Sequence, residues 1–279
     1  MLMQIVLIIV SFSSMYALGL SFHFQEIKSI FRFWKSTLGI LLYNFAVLPG
    51  ITFWILNYSD FDPEISIGIF LAAAAPGGAS AAIFVLRAKG NPAFGGLLII
   101  LLNLFSTVIT PILFALYSGI ELSAGYSVAK KLLIVSFLIQ GLPLIVGIWN
   151  RAKFLSLSRR LLPIAVKVSN FSLAIAIGIL VVYYYDELFS FGWIVWSVIL
   201  IVIFISIISG LFFYNLDTSW KASISVVTSV RSLSLALLLS EIQLKSPTTL
   251  LVILVYGFLM YLLTELSARI WVQTAHKNT

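Results

Sequence analysis

The sequence predicts an all-α membrane protein of nine transmembrane helices, and three observations carry that expectation. Of 279 residues, 61% are hydrophobic and only 10% are charged, with a mean hydropathy of +1.10. Soluble domains carry about 25% charged residues, so an ordinary globular enzyme is excluded. The apolar residues gather in nine runs, each near the roughly 20 residues that cross about 30 Å of hydrocarbon. The basic residues lie in short connections between those runs, where membrane topology places them. A net charge of +7 is therefore read as topology, with the lipid bilayer as partner and no nucleic acid.

The runs cover 2–22, 34–56, 66–88, 92–118, 128–150, 166–185, 190–214, 218–241 and 247–271. The first begins at once and is long enough to span, so a crossing is expected there and not a cleavable leader. The second carries Asn44, the fourth Asn103, the fifth Gln140 and the sixth Asn170; each is read either as interhelical glue or as a ligand. Between the fifth and sixth lies RAKFLSLSRRLLP, from Arg151 to Pro163, expected as a short interfacial helix or as a solvated loop. Trp34, Trp54, Trp193, Trp220 and Trp271, with Tyr183 to Tyr185, are expected at the interfaces. No linker separates soluble domains, so residues 1–279 form one integral membrane domain.

Lysine and arginine set the orientation. Lys28, Arg32, Lys35, Arg87, Lys89, Arg151, Lys153, Arg159, Arg160, Lys167, Lys221, Arg269 and Lys277 fall on one side, and only Lys130, Lys131 and Lys245 on the other. The first side is the cytoplasm by the positive-inside rule. The C-terminus is then cytoplasmic and the N-terminus outside, in the cell inner (plasma) membrane. Asp60, Asp62, Glu64, Asp186 and Glu187 face outward.

Two runs carry unusual polar chemistry. The third reads IFLAAAAPGGASAAIFVL, with Pro76, Gly77 and Gly78 at its centre. Proline removes a backbone donor and glycine adds conformational freedom, so the helix is expected to break or kink there. A break frees backbone groups that only protein or a water-filled cavity tolerates, which is how transporters build sites. A plain kink with close packing of small residues is the other reading. The eighth run holds Arg231 among Ser223, Ser225, Thr228, Ser229, Ser232 and Ser234. An arginine inside a crossing costs about 2.5–3.5 kcal/mol on insertion scales and marks a functional site unless carbonyls or hydroxyls simply cap it. No carboxylate lies at matching depth. Glu265 is nearer the cytoplasmic end with Arg269 one turn later, and Glu241 is ten residues past Arg231 and expected outside the core.

Other chemistries are poorly provided for. There is no cysteine, and the two histidines, His23 and His276, are far apart, so neither thiolate chemistry nor a histidine metal site is expected. No metalloprotease, P-loop or nucleophile-elbow motif appears. The protein is not expected to be an enzyme or to carry a cofactor.

These residues resemble a known family. Met15 with Gly19-Leu20 is similar to the MxxxGL of the bile acid:sodium symporter family, and Asn44-Phe45 with Pro49 to its QFxxMP. Pro76-Gly77-Gly78 followed by Ala88-Lys89-Gly90-Asn91 resembles PGGxxSN…AKGD, with Thr110-Pro111 in step downstream. Ser225 to Ala236 resembles SIEVGxQNxxLA in frame and at its Leu-Ala end. The resemblance spans nearly the whole chain. It implies two inverted repeats, each with a broken helix, the breaks crossing near the midplane. A core domain would comprise 34–118 and 190–272, and a panel 1–22 and 128–185.

The departures from the family matter most. Members hold two sodium ions at the breaks through side-chain and backbone oxygens. Here the implied ligand positions read Ala81-Ala82, Gly95, Ile99, Val227, Arg231 and Ser232, with only Asn44 still polar in the QF frame. A hard cation needs several oxygen ligands, and a fixed guanidinium would repel it. No sodium is expected at the family sites. The expectation is a secondary transporter of a small organic anion by alternating access, sodium-independent, with Arg231 standing in for the cation. Sodium-coupled symport and a non-transporting sensor or scaffold are the alternatives. The expected substrate-binding residues are Gly77, Gly78, Ala79 and Ser80 on the third run, Thr228, Ser229, Arg231 and Ser232 on the eighth, and Asn44 and Asn103.

Overall fold

A computed structural model of the chain describes residues 2–21, 34–118, 130–184, 186, 191–213 and 215–277. Phe22, His23, Lys28, Arg32, Tyr185 and Glu187 lie outside the described residues, as do the side chains of His276 and Lys277. Seven helices are long and apolar enough to cross a membrane: α1 (Leu2–Ser21), α2 (Trp34–Asn57), α5 (Pro92–Tyr117), α6 (Lys130–Lys153), α7 (Leu155–Tyr183), α8 (Trp193–Phe212) and α11 (Pro247–Lys277). Four shorter helices complete the fold: α3 (Pro63–Ala73), α4 (Ala81–Arg87), α9 (Thr218–Ser229) and α10 (Leu233–Gln243). The chain is an all-helical, multi-pass membrane protein.

The third run is thus two helices, α3 and α4, separated at Ala74–Ser80, and the eighth is α9 and α10, separated at Val230–Ser232. Two of the long helices also depart from regular geometry. Tyr43–Val47 in α2 and Phe137–Gly141 in α6 are π-helical, just ahead of Pro49 and Pro143. Proline cannot donate to the preceding turn, and the widened turn accommodates the carbonyl it leaves free. The stretch from Arg151 to Pro163 is neither a separate interfacial helix nor a loop. The α6 helix runs to Lys153, and α7 starts at Leu155 and passes through Pro163 without stopping.

Three helices, α1, α6 and α7, pack on one another. Gly19 of α1 and Gly147 of α6 bring two backbones together, with their Cα atoms so close that a Cβ on Gly19 would lie 2.9 Å from Gly147. Asn150 donates to the Tyr16 hydroxyl across the same interface (2.8 Å). The interrupted helices pack mainly with α5, α8 and α11. Glu64, at the start of α3, accepts from Ser246 Oγ (2.6 Å) ahead of α11. The two groups of helices meet where α1 lies on α10, through Ser11 Oγ donating to the Ser234 carbonyl (2.9 Å).

Of the tryptophans expected at the interfaces, Trp34, Trp54 and Trp193 are exposed and Trp271 is half-buried. Trp220 instead packs its ring on Phe94 at 4.4 Å and belongs to the core. Glu265 pairs with Arg269 (3.4 Å) and also with Arg87 at the end of α4 (2.6 Å). Glu241 is buried, at 8% exposure, and so lies inside the packed body and not outside it.

Candidate functional site

The two breaks cross. Pro76 and Arg231 form an isolated antiparallel bridge, flanked by Gly78 N–H donating to the Val230 carbonyl (3.1 Å) and Ser232 N–H donating to the Ala75 carbonyl (2.7 Å). Each interrupted helix thereby satisfies backbone groups that the other leaves free, which is what unwound backbone at membrane depth requires. Glycine is needed twice. Gly77 has φ +92°, a region that residues with a Cβ avoid. A Cβ on Gly78 would collide with the Arg231 carbonyl.

Long helices hold the first break from behind. Asn103 of α5 donates through Nδ2 to the Gly77 and Ile99 carbonyls. Thr110 Oγ1 donates to the Ala74 carbonyl at 2.7 Å, while its hydroxyl also meets Ser106 Oγ at 2.8 Å. Without these donors the carbonyls of the unwound stretch would be buried and unpaired, each at a cost of about 1–3 kcal/mol. The motif Ala88-Lys89-Gly90-Asn91 is the turn that carries the chain from α4 into α5. Lys89 takes φ 52°, and Asn91 caps α5 by accepting from Phe94 N–H (3.0 Å). Asn91 also ties the turn to α9, through its N–H to the Ser219 carbonyl (3.0 Å) and its carbonyl to Ser223 Oγ (3.1 Å).

Arg231 is 1% exposed, and every partner it has is neutral. Its Nη1 donates to Asn44 Oδ1 at 3.0 Å and its Nη2 approaches Ser206 Oγ at 3.4 Å. The Tyr43 and Tyr256 phenols lie beside the guanidinium. Nε has no partner among the described residues. Asn44 turns its other end away, donating from Nδ2 to the Ile40 carbonyl (2.9 Å) and to Thr228 Oγ1 (3.2 Å). No carboxylate among the described residues pairs with Arg231, so its buried charge is uncompensated there.

A cavity of about 300 Å³ lies on the other side of the crossing, between the breaks and helices α1 and α7. Gly78, Ala79, Ser80 and Ser232 line it, with Arg231 contributing as a residue of the break. The guanidinium itself points the opposite way, to Asn44 and Ser206, which are not part of the lining. The remaining expected residues, Asn44, Gly77, Asn103, Thr228 and Ser229, lie behind the crossing and hold it. Ser229 Oγ accepts from Thr264 Oγ1 (3.0 Å). Asn170, an exposed residue of α7, reaches the cavity wall beside Ser169.

Sequence reasoning did not single out Ser206, Tyr256 and Met260, which surround Arg231, or Tyr261, whose hydroxyl meets Ser80 Oγ at 3.0 Å. Met260 Sδ accepts from the Arg231 backbone N–H (2.9 Å). The signal available was a polar or soft side chain within an apolar run opposite an intramembrane arginine, and it is weak for any one residue.

Comparison with known proteins fits this architecture. A curated relative, "Uncharacterized sodium-dependent transporter YocS" of Bacillus subtilis (strain 168), is 26% identical over 105 residues. The match covers 37% of this chain and 32% of that protein, so the chain spans about a third of the relative it matches. The family match is more extensive, running over residues 5–192 and taking in α1, the first break and α7. The protein is a member of a transporter family and not an enzyme: the chain belongs to the Sodium Bile acid symporter family.

Proposed function

We propose that the chain is a secondary transporter that moves a small organic anion by alternating access and does so without sodium. The observation that carries this reading is a solute-sized cavity ending on two crossed helix breaks, with an uncompensated buried arginine behind them. Counting each interrupted helix as one passage makes nine crossings, arranged as two inverted repeats. The panel is 1–22 with 128–185, and the core is 34–118 with 190–272. The protein sits in the plasma membrane with its N-terminus outside and its C-terminus cytoplasmic. The cavity follows the C-terminal half of α1 and the N-terminal half of α7, so this conformation opens inward.

Sodium independence rests on what replaces the ion ligands. Ala81, Ile99 and Val227, at positions where relatives are expected to hold sodium, are all 0% exposed and packed in the apolar core. At Gly95 a Cβ would lie 2.9 Å from Val85, which leaves no room for a coordinating side chain. Arg231 supplies a permanent positive charge in their place, bonded to Asn44, which with Ser232 is what remains polar of the expected ligand positions. A cation beside it would be repelled by about 4 kcal/mol at 4 Å in an effective dielectric of 20. Such a carrier works as a uniporter or an exchanger. Arg231 cannot act as a proton carrier, because a guanidinium does not deprotonate.

The test compares thermal stability of the purified protein in sodium, potassium and choline salts, with Arg231→Gln in parallel. Wild type is expected to melt at the same temperature in all three, and the variant to melt lower. Selective stabilisation of wild type by millimolar sodium would make sodium-dependent transport, as the name of the Bacillus subtilis relative states for that protein, the better reading.

A further inference from the structure

A concentrated positive charge stands where α6 gives way to α7. Five of the 17 lysines and arginines lie between positions 151 and 167, and the sequence from 122 to 185 holds no aspartate or glutamate. Lys153, Arg159, Arg160 and Lys167 are exposed and pair with no carboxylate among the described residues. Phe154 alone joins the two helices, so Lys153 stands at the first turn of α7. Beside it Trp149 and Phe154, both exposed, meet edge to face at 5.7 Å, and Lys153 Nζ lies 5.5 Å from the Trp149 ring centroid. Exposed rings with a cation over them suit the level of the lipid headgroups.

The cations continue into a stripe on α7. Arg160 and Lys167 are seven residues apart, which sets them within about 20° of one another around the helix. Ile164, Val168, Phe171 and Ile175 lie on the same side and are all exposed. With 29 residues, α7 is about 44 Å long against about 30 Å of hydrocarbon. Its first turns therefore stand among the headgroups, while Phe171 and Ile175 lie among the acyl chains. The Lys167 stem is long enough to carry its ammonium back toward Arg160. Membrane topology asks for cations in a connection but not for their alignment above an apolar stripe. A soluble acidic partner would meet the cations and leave the stripe uncovered; a phospholipid meets both.

We propose that the α6–α7 corner binds an anionic phospholipid, with its phosphate among Lys153, Arg160 and Lys167 and its acyl chains along Ile164, Val168, Phe171 and Ile175. Leu162, Val166, Ser169 and Leu173, which line the cavity, stand about half a turn away on the opposite side of α7. The lipid and a solute therefore occupy α7 at once, and the lipid site does not depend on the carrier reading. A lipid fixed at the corner ties the start of α7 to the bilayer surface.

The test titrates dioleoylphosphatidylglycerol into the full-length protein, delipidated in a neutral detergent, with dioleoylphosphatidylcholine as the zwitterionic comparison. Melting temperature and the lipid retained in native mass spectrometry are both read. Phosphatidylglycerol is expected to stabilise saturably, at a concentration at least tenfold below that of phosphatidylcholine. A lysine or arginine near an anionic surface is worth about fivefold in affinity, so Arg160→Gln with Lys167→Gln should weaken binding about 25-fold. Both side chains are exposed, so this variant should melt as wild type does without lipid. Lys130→Gln with Lys131→Gln removes the same charge at the other end of α6 and should leave the response intact. An equal response to the two lipids, an equal loss in the Lys130 and Lys131 variant, or the same stabilisation by inorganic phosphate alone would each overturn the proposal. If the Arg160 and Lys167 variant melts low without lipid, retained lipid decides: undiminished phosphatidylglycerol on that variant also overturns it.

Discussion

Asn44 decides how much positive charge Arg231 presents, and substituting it tests the built-in cation directly. Its Oδ1 accepts from Nη1 at 3.0 Å, in a core where Asn44 is 0% and Arg231 1% exposed. Asn44→Ala removes that acceptor and leaves the Thr228 hydroxyl and the Ile40 carbonyl without their donor. A hydrogen bond to a charged group is worth about 1.5–3 kcal/mol, and stripping a partner from a buried charge costs about 3–5 kcal/mol where that partner carries the opposite charge. A loss near the lower of these ranges is expected because Asn44 is neutral. Asn44→Asp does the opposite. It keeps the acceptor and adds a unit charge about 4 Å from the guanidinium, an attraction of about 4 kcal/mol at an effective dielectric of 20 that offsets the desolvation of the new carboxylate. Like Asn44→Ala it takes the Nδ2 donor from the Ile40 carbonyl, so the protein should fold and melt below wild type but above Asn44→Ala while the site loses its net charge. For an anion about 7 Å from the guanidinium the lost attraction is about 2 kcal/mol, or roughly 30-fold in affinity. Melting curves of the three purified proteins, with and without a small organic anion, 4-methylpentanoate serving as the probe, measure both quantities. An Asn44→Asp protein that binds the probe as wild type does would refute the idea that the arginine's charge is felt in the cavity. One that melts as low as Asn44→Ala would refute the placement of the introduced carboxylate against the guanidinium.

Three further outcomes are expected. Thr110→Val keeps the shape but deprives the Ala74 carbonyl of its 2.7 Å donor, and should cost about 1–3 kcal/mol of stability by chemical denaturation. Its effect on probe affinity should follow only if the first break shifts. Gly19→Val forces side-chain atoms into the α6 backbone, where even a Cβ would lie 2.8 Å from Ile148 N, and should destabilise by at least the about 1–3 kcal/mol typical of overpacking. A loss of stability below that range would mean that α1 and α6 separate more easily than their contact implies. If no cation moves alongside, as proposed, transport of a monoanion carries one negative charge per cycle. A potential of 100 mV is worth about 2.3 kcal/mol per charge, so probe-loaded proteoliposomes held negative inside should lose probe much faster than unpolarised ones. Efflux indifferent to potential would point to electroneutral exchange.

The architecture could be read from the sequence further than the site could. Long apolar runs separated by short polar connections have one physical solution in a bilayer, and the seven long helices follow them closely. Pro76-Gly77-Gly78 announces trouble for a helix by its own chemistry. The interruption at Val230–Ser232 does not, because no proline or glycine stands there. That stretch unwinds for a tertiary reason, the bridge to Pro76, and nothing local encodes it. The same applies to the direction of Arg231. Its presence inside an apolar run marks it as a candidate, but whether the guanidinium faces the cavity or the core depends on Asn44, Ser206 and Tyr256, which lie 187, 25 and 25 residues away along the chain. The start of α7 is hidden for a simpler reason. Arg159 and Arg160 lower the hydropathy of its first turns without opposing helix formation, so polarity there imitates a structural boundary.

A bound cation at crossed helix breaks does two separable things. It neutralises carbonyl and anion charge where the backbone is unwound, and it makes that neutralisation conditional, since an empty site repels the substrate and a filled one attracts it. A covalently attached guanidinium can do only the first. Arg231 is anchored by its own backbone bridge to Pro76 and by Asn44 on α2, so it cannot leave when substrate leaves. On the proposed reading the crossing is held equally well with the cavity empty or occupied, and movement of α1, α6 and α7 against the rest would not be gated by ion occupancy. A ligand shifts a conformational equilibrium only by its differential affinity for the two states, and here the substrate is left as the sole ligand able to do so. Restoring neutrality at position 231 with Arg231→Gln would not restore coupling, because Ala81, Ile99 and Val227 still offer no side-chain oxygen. Conversion of this site to a sodium-dependent one requires oxygen ligands at several of those positions together, and the single substitution alone should yield a destabilised, sodium-indifferent protein.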